Sequence, residues 1–163
     1  MKKLAVLALL ALEMMVSGCG TTTNGTTTTT TSASGKWQAV MAGGDGQAGA
    51  LNFVTAFTVG SGGGNLDITS FSFLTTGPCF GATVAESGSA TLVTSSTNAV
   101  TGTLSYSVSD GTSTGSVLTL DGTTVTGTSS SGTLHGGVVT GTWNLTGPSG
   151  CTGGGTFTMT QTS

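Results

Sequence analysis

The chain predicts an all-β fold: an antiparallel up-and-down meander forming a small closed or partly open β-barrel, with a β-sandwich as the alternative. Three observations predict it. Apolar and hydroxyl residues alternate with a period of two, the spacing that sends successive side chains to opposite faces of a strand. Turn signals recur about every 8–12 residues, the rhythm of short antiparallel strands. After residue 60 no apolar run follows the 3.6-residue period of a helix. Short turns between successive runs favour the barrel over the sandwich.

Taken in order, the odd positions Leu51, Phe53, Thr55, Phe57 and Val59 carry the larger side chains, and the even ones from Asn52 to Thr58 the smaller. This is a half-buried strand. Leu66 and Ile68 share one parity, Phe71 and Phe73 the other, so a bulge or bend falls near Ser70. Val100, Leu104, Tyr106 and Val108 alternate with threonine and serine, as do Val139, Trp143 and Leu145, and then Phe157 and Met159. Asp110-Gly111 and Asp121-Gly122 are hairpin-type dipeptides, and Gly60–Gly64, Ser95–Asn98 and Ser129–Gly132 read as loops. About eight to ten strands result. Val-Thr-Gly-Thr occurs at Val100, Val125 and Val139. A glycine inside a strand marks a bend or a close backbone approach, although a composition this rich in Val, Thr and Gly also produces such repeats by convergence.

The N-terminus carries a different signal. Lys2 and Lys3 precede an apolar run, Leu4–Leu12, and small residues lead into Val16-Ser17-Gly18-Cys19. A basic start, a short apolar core and a small-residue cleavage site describe an export signal, and the run falls well short of the ~20 apolar residues of a spanning helix. Glu13 is a departure within the apolar region. Val-Ser-Gly-Cys resembles the lipobox of bacterial lipoproteins. The resemblance implies cleavage between Gly18 and Cys19 and acylation of Cys19, so that membrane lipid is the first partner. At least two acyl chains make a stable anchor, each buried CH₂ contributing ~0.8 kcal/mol. Gly20, in place of the aspartate of inner-membrane retention, points to an outer membrane. An ordinary signal peptide with a coincidental cysteine is the competing reading. The expected organisation is a signal peptide at 1–18, an acylated cysteine with a disordered Thr-rich tether at 19–35, and a β domain at 36–163. The tether contains nothing apolar that would make it dock.

Charge narrows function further. Residues 19–163 hold one lysine, Lys36, no arginine, and five acids, Asp45, Asp67, Glu86, Asp110 and Asp121, a formal −4. No basic patch exists to meet phosphates, which excludes nucleic acid as a partner. The recurring apolar residues after residue 36 argue for a folded domain with an uncharged, hydroxyl-rich surface.

Beyond Cys19 only Cys79 and Cys151 remain. In an exported chain an isolated pair forms a disulfide, here closing a loop of about 73 residues for roughly 4 kcal/mol on the chain-entropy model. Two thiolates and the single His135 fall short of the four ligands zinc takes, so no metal and no cofactor is expected.

Several motifs look chemical. Gly44-Asp45-Gly46-Gln47-Ala48-Gly49 fits GxGxxG with Asp67 about 20 residues on, but a dinucleotide site needs a helix where a strand is expected. Gly111-Thr112-Ser113-Thr114-Gly115 fits GxSxG, yet it follows a hairpin signal, and His135 would be the lone base. Of the acids, Asp67 and Glu86 alone are not accounted for by turns or loops, and a solvated strand face accommodates both better than a glycosidase pair. A calcium turn at Gly43–Gly46 would need tandem repeats. No catalytic residue is assigned, and the chain reads as non-enzymatic.

The body also resembles the small Thr/Gly-rich β domains of uncharacterised bacterial envelope lipoproteins, through Cys79-Phe80 and Cys151-Thr-Gly-Gly-Gly-Thr-Phe-Thr158. That resemblance implies an architecture and no activity. The leading expectation is a lipid-anchored, extracytoplasmic envelope protein in a structural or interaction role. The alternative is a lipocalin- or avidin-like carrier of a small apolar ligand, with Trp37, Phe53, Phe57, Tyr106 and Trp143 as the candidate pocket. A cavity of ~300 Å³ or more would favour the carrier.

Overall fold

The computed structural model describes residues 29–44, 47–75, 77–112 and 115–162. The apolar run Leu4–Leu12, the Val16–Cys19 motif and Thr21–Thr28 lie outside the described residues, as do Asp45, Gly46, Ser113 and Thr114. Nine strands form one antiparallel sheet: β1 (Ala33–Ala42), β2 (Phe53–Val59), β3 (Gly63–Asn65), β4 (Asp67–Phe73), β5 (Ala85–Thr94), β6 (Ala99–Ser109), β7 (Val117–Ser130), β8 (Thr133–Thr146) and β9 (Gly153–Thr162). Among the described residues there is no α-helix, and one turn of 3-10 helix spans Ala48–Leu51. Leu51 therefore closes that turn and is not the first residue of a strand: β2 starts at Phe53. The side chain of Leu51 is still buried.

The strands lie in the order β3-β5-β6-β7-β8-β9-β1-β2-β4. β5 to β9 are an up-and-down meander, β9 pairs with β1, and the β1–β2 hairpin carries the sheet round to β4. The result is a nearly closed barrel with one unsealed seam, between β4 and β5. At one end of the seam β3 pairs with β5, and the chain then crosses at Leu66, whose N–H donates to Gly88 O (2.9 Å), into β4 on the far side. The parity switch has a local cause. Ala56 faces Ser70 and Phe57 faces Ile68, so Thr69 is the extra residue of a bulge that brings Ile68, Phe71 and Phe73 to the same face.

Inward positions fill the barrel with Trp37, Phe53, Phe57, Leu104, Tyr106, Leu118, Leu120, Trp143, Phe157 and Met159, all buried. Threonine and serine take most of the outward positions of β6 to β9, with Asp121, His135 and Asn144 among the others. Two of the three repeat glycines sit where backbones come closest, and the third, Gly127, sits under the Leu134 side chain. A Cβ on Gly102 would lie 1.8 Å from Thr91 O, and one on Gly141 would lie 2.0 Å from Asp121 O. Gly102 and Gly127 also fall at register shifts in the β6–β7 and β7–β8 ladders.

The barrel has two unlike ends. The N-terminal end gathers Thr29–Ser32, the Gly60–Gly62 turn, the Ser95–Asn98 turn and the last residue of β9, Thr162, which pairs with Lys36. The other, the disulfide end, gathers the four connections 43–52, 74–84, 110–116 and 147–152. The expected tether boundary moves here. β1 begins at Ala33, Thr29 bridges to Thr94, and Ser32 bridges to Thr133, so residues 29–35 belong to the barrel. They dock without an apolar face by satisfying polar groups. Thr31, 0% exposed, donates its hydroxyl to Ser129 Oγ (2.9 Å) and accepts from Thr94 Oγ1. Gly62 N–H donates to Thr31 O (3.1 Å). Buried hydroxyls cost little once paired, and here they pair with one another.

Gly141→Ala should lower the unfolding free energy in urea by about 3 kcal/mol through the forced separation of β7 and β8. Gly49→Ala, whose Cβ meets open space, should change it by less than about 0.5 kcal/mol.

Candidate functional site

The disulfide end is a woven mouth. Cys79 and Cys151 are joined, with Cα atoms 5.4 Å apart, tying the β4–β5 connection to the β8–β9 connection. Gln47 Nε2 donates to Gly150 O (3.3 Å) and Thr75 Oγ1 to Gly49 O (3.4 Å), linking the β1–β2 connection to both. Gly81 N–H donates to Asp110 Oδ1 (2.6 Å), bringing in the β6–β7 connection. Backbone bonds from Asp110 N–H to Ser116 O and from Cys151 N–H to Pro148 O shape the individual turns.

Beneath the mouth, rings bridge the seam that backbone bonds do not close. Phe80 lies 4.9 Å from Phe73, Phe73 4.9 Å from Phe71, Phe71 4.9 Å from Phe53, and Phe53 5.4 Å from Tyr106 of β6. The ring path thus runs from the loop through β4 and β2 to β6. Thr55 donates its hydroxyl to Ser70 O (2.9 Å), so its remaining lone pairs accept from Tyr106 OH (2.9 Å). Burial of the phenol, with the nearby Glu86 charge adding to it, pushes Tyr106 up from 10.0 to about 12.

Two clefts open at the mouth on either side of the Pro78–Cys79 ridge. One, about 250 Å³, is mainly apolar and is lined by Ala50, Leu51, Phe73, Pro78 and Phe80, with Gln47 at its margin. The other, about 580 Å³, is of mixed polarity and is lined by Gln47, Asp110, Thr112, Ser116 and Ser149 around Cys151.

The five aromatics proposed as a pocket, Trp37, Phe53, Phe57, Tyr106 and Trp143, are all buried, but they do not enclose a common cavity. Trp37 stacks on Phe57 (5.3 Å), and the crevice beside them holds about 10 Å³, at or below the space of one water. Trp143 Nε1 donates to Ala42 O (3.1 Å), whereas the buried Trp37 Nε1–H has no partner among the described residues. Glu86 departs from the solvated face expected of it: it is half-buried and shares the inward face of β5 with Ala90 and Leu92. Asp67 is exposed on β4, at the other end of the seam. His135 is exposed and pairs with Thr128 of β7, about 35 Å along that strand from Val117, and Gly111, Thr112 and Gly115 precede Val117. The described residues of the GxSxG stretch and the candidate base are therefore at opposite ends; Ser113 lies outside the described residues. The Gly44–Gly49 stretch runs into the 3-10 turn and then β2. Phe80 is the mouth residue that period-two reading passes over, because it sits in a connection; its signal is an aromatic next to a cysteine.

Tyr106 is the only tyrosine, so tyrosinate absorbance reports it alone. Its midpoint should lie near 12 in the folded protein and at the ordinary 10 after denaturation. Because the folded value is the higher, this burial stabilises the fold fully below pH 10 and less and less as pH rises from 10 to 12. The double variant Cys79→Ala/Cys151→Ala should lose about 4 kcal/mol of stability. Freeing the loop that carries Phe80 should also hydrate the seam and lower the Tyr106 midpoint.

No family model matches this chain, and no curated protein and no solved structure matches it.

Proposed function

We propose that the chain is a lipid-anchored bacterial envelope protein whose β-barrel has a structural or interaction role and performs no catalysis. The observation that carries the reading is the filled interior. A carrier site measures about 300–1,000 Å³, whereas the crevice beside Trp37 and Phe57 is about 10 Å³. That supports interaction over carriage. The N-terminal motif Val16-Ser17-Gly18-Cys19 supports the anchor.

Geometry supports an orientation as well. About ten residues separate Cys19 from Thr29, a chain that spans at most about 35 Å. The first and last described residues, Thr29 and Thr162, are both at the N-terminal end. An acylated Cys19 would hold that end towards the bilayer and turn the disulfide end, with both clefts, away from it. Such a protein sits on the extracytoplasmic side, where the Cys79–Cys151 bond persists.

Mass spectrometry of the mature protein tests this directly. The expected spectrum shows Cys19 as the first residue carrying at least two acyl chains, an intact Cys79–Cys151 bond and no copurified ligand. Cys19→Ala should leave the protein unacylated. An unmodified N-terminus on a protein free in solution would sink the anchor, and a stoichiometric apolar ligand would revive the carrier.

A further inference from the structure

We propose that the mouth at the disulfide end docks a segment of a partner protein that presents an apolar side chain next to a lysine or arginine. This deepens the interaction reading above and rests on it. The apolar cleft, about 250 Å³ between Phe73, Phe80, Pro78 and Leu51, is smaller than the sites that hold whole cofactors and suits one aliphatic or aromatic side chain. Anchors of that kind, seated in pockets with aromatic walls, dominate the energetics of protein interfaces. Across the Pro78–Cys79 ridge the wider cleft presents the Asp110 carboxylate, with Thr112 and Ser149 beside it. Asp110 uses Oδ1 to accept from Gly81 N–H, and no cation lies within ion-pair reach of it among the described residues.

Among the described residues the second carboxylate at this end is Glu86, which pairs in register with Val108, two residues before Asp110. The only lysine among the described residues, Lys36, is at the opposite end, beside Thr162. The mouth is therefore negative without compensation, and complementarity asks for a cation from outside. Gln47 lines both clefts, so apolar and charged groups adjacent in one segment reach both at once.

The test uses the acylated full chain in phosphatidylcholine nanodiscs, with empty nanodiscs as the blank, and fluorescent hexapeptides that differ at two adjacent positions: Leu-Lys, Leu-Glu and Ala-Lys. Anisotropy should show the Leu-Lys peptide binding about tenfold more tightly than either of the others. Asp110→Asn keeps an acceptor for Gly81 and should erase the preference for Lys over Glu. Gln47→Lys, placing a cation between the clefts, should reverse it. Thermal unfolding checks that each variant is folded. Equal binding of the Leu-Lys and Leu-Glu peptides, a preference that survives Asp110→Asn, or an uncharged trisaccharide binding where no peptide does would overturn the proposal. None of these outcomes bears on acylation of Cys19, which mass spectrometry reads separately.

Discussion

The constraint on which the structure depends is the seam between β4 and β5, the one place where the sheet fails to pair with itself. Elsewhere around the barrel, neighbouring strands are joined by ladder hydrogen bonds. Across the seam, closure falls to side chains. The ring path Phe80–Phe73–Phe71–Phe53–Tyr106 supplies aromatic pairs worth about 0.5–1.5 kcal/mol each beyond their burial. The Cys79–Cys151 bond then fixes the loop that brings Phe80 to the path. Tyr106 couples this packing to polarity, since its hydroxyl is satisfied by Thr55, which itself bonds β4 at Ser70. Side-chain closure is more easily opened than a ladder, so the part of the barrel with the lowest local stability lies directly beneath the two clefts.

The opposite wall is tightened by a different device. A single sheet curled this sharply needs backbones to approach within distances that a Cβ forbids, and the facing pair Gly122 and Gly141 meets that need at the centre of β7 and β8. Absent side chains also leave volume, which the two tryptophans fill. Trp143 lies against Gly44 and Gly155, and Trp37 against Gly137, each close enough that a Cβ on the glycine would collide with the indole, and Gly153 packs tightly on Trp143 as well. An aromatic laid over a strand glycine restores the burial that glycine lacks. The abundance of glycine and the two tryptophans are thus one packing solution. It is also why the interior is full.

Much of this could be read from the residues. Period-two alternation places Val100, Leu104, Tyr106 and Val108 inward, and all four are buried. The clash between Ile68 and Phe71 parities locates the bulge to within a residue of Thr69. What stayed hidden depends on long-range pairing. Thr29–Ser32 carry no apolar signal, because they dock through buried hydroxyls whose partners lie more than sixty residues away, as with Thr31 and Thr94. Glu86 reads as a surface acid until the register of β5 puts it on the same face as Leu92. The mouth is the least legible part, since it is assembled from four connections, and connections have no period. Only Cys79 and Cys151 announced that two of them would meet.

A barrel with an open seam carries two strand edges, and free edges recruit foreign strands. How this chain limits that hazard follows from features already needed for other reasons. β3 covers one stretch of the β5 edge, from Ser89 to Thr91, and the Leu66 bond to Gly88 extends the cover by one residue. Past Thr91, Leu92 N–H donates to Gly62 O and Thr29 bridges to Thr94, which leaves Ala85–Ser87, too short to template a strand and containing Glu86 on the inward face. An inward-directed carboxylate would be buried without a partner by any strand that closed over it, at a cost of several kcal/mol. On the β4 side the bulge at Thr69 breaks the run of ladder positions into two short pieces, and Asp67 charges the exposed end. The inward carboxylate of Glu86 and the bulge that aligns Phe71 with Ile68 therefore also keep the seam from becoming a site of strand exchange. A surface otherwise covered in threonine, a residue that favours strands and carries no charge to repel a neighbour, makes that protection necessary.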